Sequence, residues 1–175
     1  MKLLTILTNL TLITMLSSCT KDKSSKSVDN PIVDYDGNVY TSVTIGTQEW
    51  LKEPLKTTRY MNGDLIESIS DGTSWSNLTT GAYCSYNYDN TKVMTYGRLY
   101  NWFVISDNRK VCPTGWHVPT DNELTTLVNF LGGETIAGGK MKESGNVHWI
   151  LSNTGTTNST ELTLVILAHM VHLMD

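Results

Sequence analysis

The residues able to do covalent chemistry are three cysteines, Cys19, Cys84 and Cys112. Cys19 ends the run Leu16, Ser17, Ser18, Cys19 behind an apolar stretch. That is the pattern of a bacterial lipobox, in which small residues fit the signal peptidase and the thiol takes a diacylglyceryl group. Cys19 is therefore the expected lipid-modified residue. Cys84 and Cys112 remain, and in an exported protein they are free to oxidise, with each other as one option. No CxxC occurs, so thiolate zinc sites and thioredoxin-like chemistry have no support. His169 and His172 form HMVH, which lacks the glutamate of the metalloprotease HExxH, and no GxSxG surrounds any serine. His117 and His148 each neighbour a tryptophan, where packing is the ordinary role. AGGK lacks the spacing of a phosphate loop. Asp34, Asp36 and Asn38 look like half of a calcium loop, yet Val39 stands where glycine is needed and the closing acid is absent. The expectation is no catalytic residue, no cofactor and no metal, hence no enzyme.

Residues 1–18 read as a lipoprotein signal peptide: Lys2, then a Leu, Ile and Thr run of about fourteen residues, too short for a spanning helix. Residues 19–31 read as a lipidated cysteine and flexible tether, rich in Ser and Lys and poor in apolar groups. Two or three acyl chains suffice for stable anchoring. Thr20 rather than Asp after the cysteine fits sorting to an outer membrane, so a lipid-anchored place in a bacterial envelope is expected.

The 175 residues suit one domain, and a net charge of −4 with scattered Lys and Arg gives no face for nucleic acid. Five Trp and eight Tyr against two Phe mean that most large anchors carry a polar tip, which suits a loop-rich body.

The element best able to position side chains is Val111 to Leu131, VCPTGWHVPTDNELTTLVNFL. Thr120 and Glu123 form a capping box, Leu124, Leu127, Val128 and Leu131 share one helical face, and Gly132 and Gly133 end the helix. From Ile32 the pattern is strand-like, with a turn at Asp36 and Gly37, and with Val39, Thr41, Val43 and Ile45 alternating against Tyr40, Ser42 and Thr44. A second turn spans 46–48, and Trp75 and Leu78 are the expected anchors of the irregular passage that follows. Tyr83 to Tyr88, with the polar run Asp89 to Lys92, has the composition of a sugar-binding surface and equally that of a hairpin with cross-strand aromatics. Gly97 to Val104 reads as a short helix or strand that buries Leu99, Trp102 and Phe103. Asn153 to Thr160 reads as a polar loop.

Taken in order, DYDGNVYTSVTIGTQEWLKEPLKTTRYMNGD, WSNLTTGAYCSYNYDN, YGRLYNW, CPTGWHVPTDNELTTL, LGGETIAGGKMKESG and HW resemble the Fibrobacter succinogenes major paralogous domain, a family of cell-surface lipoprotein modules, over about Val33 to Asn158. GWHVPTDNEL is also similar to a segment of formylglycine-generating-enzyme relatives. The resemblance implies an α+β, C-type-lectin-like domain over residues 32–160. It implies a non-enzymatic module that binds glycan or a surface protein, the alternatives being a degenerate enzyme of the formylglycine-generating type or a non-functional product. It also implies a partner for Cys112 on a final strand, leaving a free thiol if that strand is missing. Residues 161–175, ELTLVILAHMVHLMD, do not resemble the family's continuation, which implies a truncated or frameshifted carboxyl end. On that reading the 32–45 hairpin has an unpaired edge, Trp116 lacks partners, and Leu162 to Met174 form an ill-docked apolar tail.

Overall fold

The computed structural model describes residues 18–22, 31–145, 148 and 155–162. The signal segment before Ser18, Trp149, His169 and His172 lie outside the described residues. In chain order the strands are β1 (Thr20–Lys21), β2 (Ile32–Val33), β3 (Val39–Tyr40), β4 (Ser42–Ile45), β5 (Gln48–Leu51), β6 (Glu67–Ser68), β7 (Ala82–Ser85), β8 (Arg98–Tyr100) and β9 (Trp116–His117). The helices are α1 (Gly72–Ser76), α2 (Val93–Tyr96), α3 (Trp102–Ile105), α4 (Asp121–Phe130) and α5 (Glu134–Met141). One antiparallel sheet has the order β4-β5-β1-β9, β2 pairs with β3, and a third sheet runs β6-β7-β8 with β6 parallel to β7. The class is mixed α+β, built from several small sheets and few helices.

Helix α4 forms where its caps require. The Thr120 side chain accepts from the Glu123 N–H, and the Glu123 carboxylate accepts from the Thr120 N–H in return. At the other end Gly133 N donates to Val128 O and Gly132 N to Asn129 O, with φ of 92° and 103° at the two glycines. These are the two bonds of a Schellman closure. Leu127 and Leu131 are buried with Ile45, Trp50, Ala137 and Leu162, and Leu124 and Val128 pack beside them. Each fully buried Leu contributes about 1.5 to 3 kcal/mol.

The turn at Asp36 and Gly37 joins β2 to β3. The alternation beyond it is interrupted: Val39 is 59% exposed while Tyr40 is in the core. The strand breaks at Thr41, whose N–H and hydroxyl both donate to the Glu53 carboxylate, so the faces change over between β3 and β4. Tyr40 is held inward because its hydroxyl donates to Asp34 Oδ2 at 2.6 Å and accepts from the Lys56 N–H. Asp34 also accepts from the backbone N–H groups of Asp36 and Asn38, so the supposed calcium ligand is engaged by its own loop.

Four further expectations are corrected. Trp75 and Leu78 are only half-buried, and the irregular passage is anchored instead by Leu55, Tyr60 and Ile66. In GRLYNWFV, strand β8 stops at Asn101, which caps α3; this turns Trp102 outward at 58% exposure, leaves Phe103 exposed and buries Val104. Trp116 has partners after all, packed among Cys19, Cys112 and Val111. Leu162 is buried in the α4 core and Glu161 pairs with Lys52 at 2.7 Å, so the start of the supposed loose tail is docked; residues 163–175 lie outside the described set.

Asn101 does the work of three bonds, accepting from the N–H groups of Val104 and Ala82 and donating to Thr80 O. Asn101→Ala strands buried backbone donors, so it is expected to cost about 2 to 3 kcal/mol, seen as a lower urea midpoint at unchanged slope.

Candidate functional site

The tether begins inside the fold. Thr20, 2% exposed, pairs with Trp50 of β5 on one side and His117 of β9 on the other, and Lys21 lies opposite Trp116. Leu51 N donates to Cys19 O and Asp22 N to Gly115 O. Side chains repeat the attachment: Lys21 meets Glu49 at 2.8 Å, and Asp22 meets His117 Nδ1 at 2.8 Å. His117 Nε2 reaches Glu123 at 3.0 Å, which links the leading segment to the amino end of α4. Burial pushes the Glu123 carboxyl up, but the Thr120 N–H and hydroxyl and His117 more than offset this and hold it below its ordinary value. Read locally, Lys21 and Asp22 are solvated charges in a polar stretch, and no motif marks them as strand residues.

Cys19 is 0% exposed and its sulfur is bonded to that of Cys112, 93 residues away, with the Cα atoms 6.0 Å apart. Direct pairing of Cys84 with Cys112 is thus overturned, as is a free thiol at Cys112. Cys84 lies on β7 in a different sheet, and it is the free thiol. Burial pushes it up to about 12, which leaves almost no thiolate to react. A sulfur in a disulfide has no valence left for a thioether. Bridged and acylated Cys19 are therefore alternative states, and this structure holds the bridged one.

The second candidate is the aromatic run. Tyr83, Cys84 and Ser85 are buried in β7, and Arg98 lies over the Tyr83 ring at 4.5 Å, so Tyr83 has the packing role. The chain then turns through Asn87 and Tyr88, both at positive φ (52° and 57°). Asn tolerates that region, whereas for Tyr it costs of order 1 kcal/mol. The Ser85 hydroxyl donates to Asn90 and the Asp89 carboxylate accepts from the Thr91 N–H, which over-determine the turn. Helix α2 then ends at Gly97 (φ 66°), where a Cβ would meet Pro54 and Leu55 at 2.6 to 2.7 Å. This places the half-buried rings of Tyr86 and Tyr96 4.8 Å apart, and Tyr96 makes an edge contact with His148, whose Nδ1 is 2.7 Å from Glu143. The result is a half-exposed face of two tyrosine rings, tilted 38° to each other, beside the Glu143 carboxylate. Tyr96, His148 and Glu143 belong to it although nothing in their spacing to Tyr86 signals it. Among the described residues no group of three or more His, Cys, Asp or Glu is placed to hold a metal ion.

A mixed α+β module of small sheets, closed by one long-range disulfide and bearing an aromatic face, is the class these features define. The Fibrobacter succinogenes major domain family matches residues 43–172, well over half of the 175-residue chain, and the chain belongs to that family. The matched span runs past Asn158, where the resemblance read from the residues stops, and includes most of the segment 161–175. No curated protein and no solved structure matches the chain.

In the chain-entropy account a bridge closing a loop of this length contributes about 4 to 5 kcal/mol. Cys112→Ser is expected to lower stability by an amount of that order, read by urea denaturation, while Cys84 in the native wild type resists iodoacetamide. Glu123 has a depressed folded value, so its contribution is complete above the ordinary 4.5 and is lost as pH falls through the folded value. The stability gap between wild type and Glu123→Gln is accordingly expected to shrink from pH 6 to below about 4, measured by thermal melts across that range.

Proposed function

We propose that the chain is a non-enzymatic surface module of a bacterial envelope, moored by lipid on Cys19 and binding glycan or a surface protein through the face of Tyr86 and Tyr96. The observation that carries it is the 4.8 Å ring pair of Tyr86 and Tyr96, half-exposed and flanked by Asn87, Asn90 and the His148–Glu143 pair. Aromatic faces stack on the C–H face of a pyranose while amides and carboxylates bind its hydroxyls. Burial raises Tyr86 above its ordinary value, so its phenol remains a protonated donor. The family, the leader and the lipobox support the envelope location, with the outer membrane as the expected address. Among the described residues no helix is long and apolar enough to cross a membrane. A C-type-lectin-like arrangement is part of this proposal, supported by a capped helix packed on a small antiparallel sheet.

A degenerate oxidase of the formylglycine-generating type needs a reactive thiol, and the inert, buried Cys84 speaks against it. A non-functional product is opposed by the docking of Leu162.

The test is a glycan array probed with the full chain, followed by calorimetry on any hit. Binding is expected to weaken about tenfold in Tyr96→Ala, a change of about 1.4 kcal/mol, at little cost in melting temperature. An array without retained glycan, or a hit indifferent to Tyr96→Ala, removes the glycan half of the proposal and leaves a protein ligand.

A further inference from the structure

The small sheet β2-β3 is built inside out. Asp34 and Tyr40 point inward, 7% and 3% exposed, while Val33, Tyr35 and Val39 face water at 38%, 56% and 59%. The inversion has a local cause. Asp34 accepts from the Tyr40 hydroxyl and from the N–H groups of Asp36 and Asn38, which keeps its carboxylate inside, and the alternation of a strand then sends the residues on either side outward. Val33 and Val39 are direct cross-strand partners, so their side chains lie together on the outer face, with Tyr35 two places on. The Tyr35 ring rests on Gly63, where a Cβ would come within 2.6 Å of its Cζ and Oη atoms. Leu65, 68% exposed, bridges Arg59, whose guanidinium pairs with Asp36 at 3.3 Å. Four exposed apolar side chains therefore gather at one corner, where single scattered ones would need no explanation.

The charges around this corner have a bias. Its carboxylates are engaged by the fold: Asp34 by its own loop, Asp36 by Arg59 and the Thr58 N–H, Asp64 by Arg109 and the Asn62 amide. Arg59 and Arg109 remain partly exposed, and each keeps further N–H groups to donate. Aliphatic side chains and a tyrosine beside arginines suit the boundary between acyl chains and phosphate headgroups.

The size of the corner and its place in the chain decide what covers it. A standard protein interface takes about 20 to 30 residues a side, several times what is offered here. A lipid surface needs only a few inserted side chains, provided that something else holds the body nearby. The tether does this. Thirteen positions separate Cys19 from Ile32, the first residue of β2. A chain of that length reaches at most about 45 Å and averages about 20 Å as a flexible coil. It leads directly into the inverted sheet.

We propose that Val33, Tyr35, Val39 and Leu65 form a membrane-docking face. On the anchored chain they enter the headgroup boundary of the bilayer that holds the acyl chains, with Arg59 and Arg109 toward the lipid phosphates. This rests on the anchoring reading given above and adds which side of the body meets the lipid. The face lies on a sheet separate from β1, so its side chains are in place whether Cys19 is bridged or acylated.

The test puts the photoreactive residue p-benzoylphenylalanine in place of Val39 and, as reference, in place of the exposed Thr125 on α4, which packs on the other buried cluster. The full chain is made in a Gram-negative host, and its intact mass reads acylation of Cys19. It is then reconstituted in vesicles of phosphatidylethanolamine and phosphatidylglycerol and irradiated, and mass spectrometry identifies what is joined to each position. Phospholipid adduct is expected at about tenfold higher yield at position 39 than at 125, falling about fivefold when Val33→Ser and Tyr35→Ser are added. Equal yields at the two positions, or a yield at 39 indifferent to the two serines, overturn the face. An adduct at 39 formed mainly with a second copy of the chain overturns it as well. Should the doubly substituted chain lose its folded near-ultraviolet spectrum, the comparison of 39 with 125 decides alone. An acylated chain without the lipid preference sinks the face and leaves the anchor. A lipid preference at 39 on a chain whose Cys19 carries no acyl mass sinks the anchor and leaves the face, and the absence of both sinks both.

Discussion

The fold depends on one insertion, the entry of Thr20–Lys21 between β5 and β9. Without it the four-stranded sheet is two separate pieces, β4-β5 and β9, held together only through loops. With it, Trp50 and Trp116 become part of one continuous sheet, and the two buried clusters are joined through β5, which gives Leu51 to one and Trp50 to the other. The disulfide acts on the same element, since it ties the segment preceding β1 to the residue shortly before β9 across 93 positions. Backbone pairing, apolar burial and the covalent link converge on five residues, Ser18 to Asp22.

A body with this little regular structure needs polar cross-links, and its buried hydroxyls and amides supply them. Tyr40 joins its ring to the core and its hydroxyl to Asp34, Tyr100 donates to Thr57 O, and Asn101 ties α3 to the start of β7. Arg109 lies over the Tyr60 ring at 3.9 Å while bonding Asp107 and Asp64, closing the loop before Val111 against the β6 side; Asp107 is held down at about 2 by that guanidinium. A Phe in place of Tyr100 fills the same volume but leaves Thr57 O without that donor, and one in place of Tyr40 leaves the Lys56 N–H without its acceptor.

The aromatic face is made by a turn held in a strained conformation at Tyr88, kept there by Ser85, Asp89 and Asn90, and its rings are placed before any ligand arrives.

What the amino-acid order determined by itself is what lies within a few residues: the capping box of Thr120 and Glu123, the glycine closure of α4, its apolar face, and the turn at Asp36 and Gly37. These follow from hydrogen bonds between near neighbours and from the φ that glycine permits. The family was legible too, in blocks of residues that keep their order. Of the candidate face, the composition of residues 83–92 was legible, but not its contact with Tyr96, His148 and Glu143. The tertiary structure decided everything that pairs across distance: Cys19 with Cys112, Lys21 with Glu49, Asp22 with His117, the outward turn of Trp102 and the docking of Leu162. A polar strand of two residues carries no hydrophobic period to announce it, because a strand between two neighbours is recruited by backbone edges and sparse charges, and those partners stand 30 and 97 residues away from Thr20.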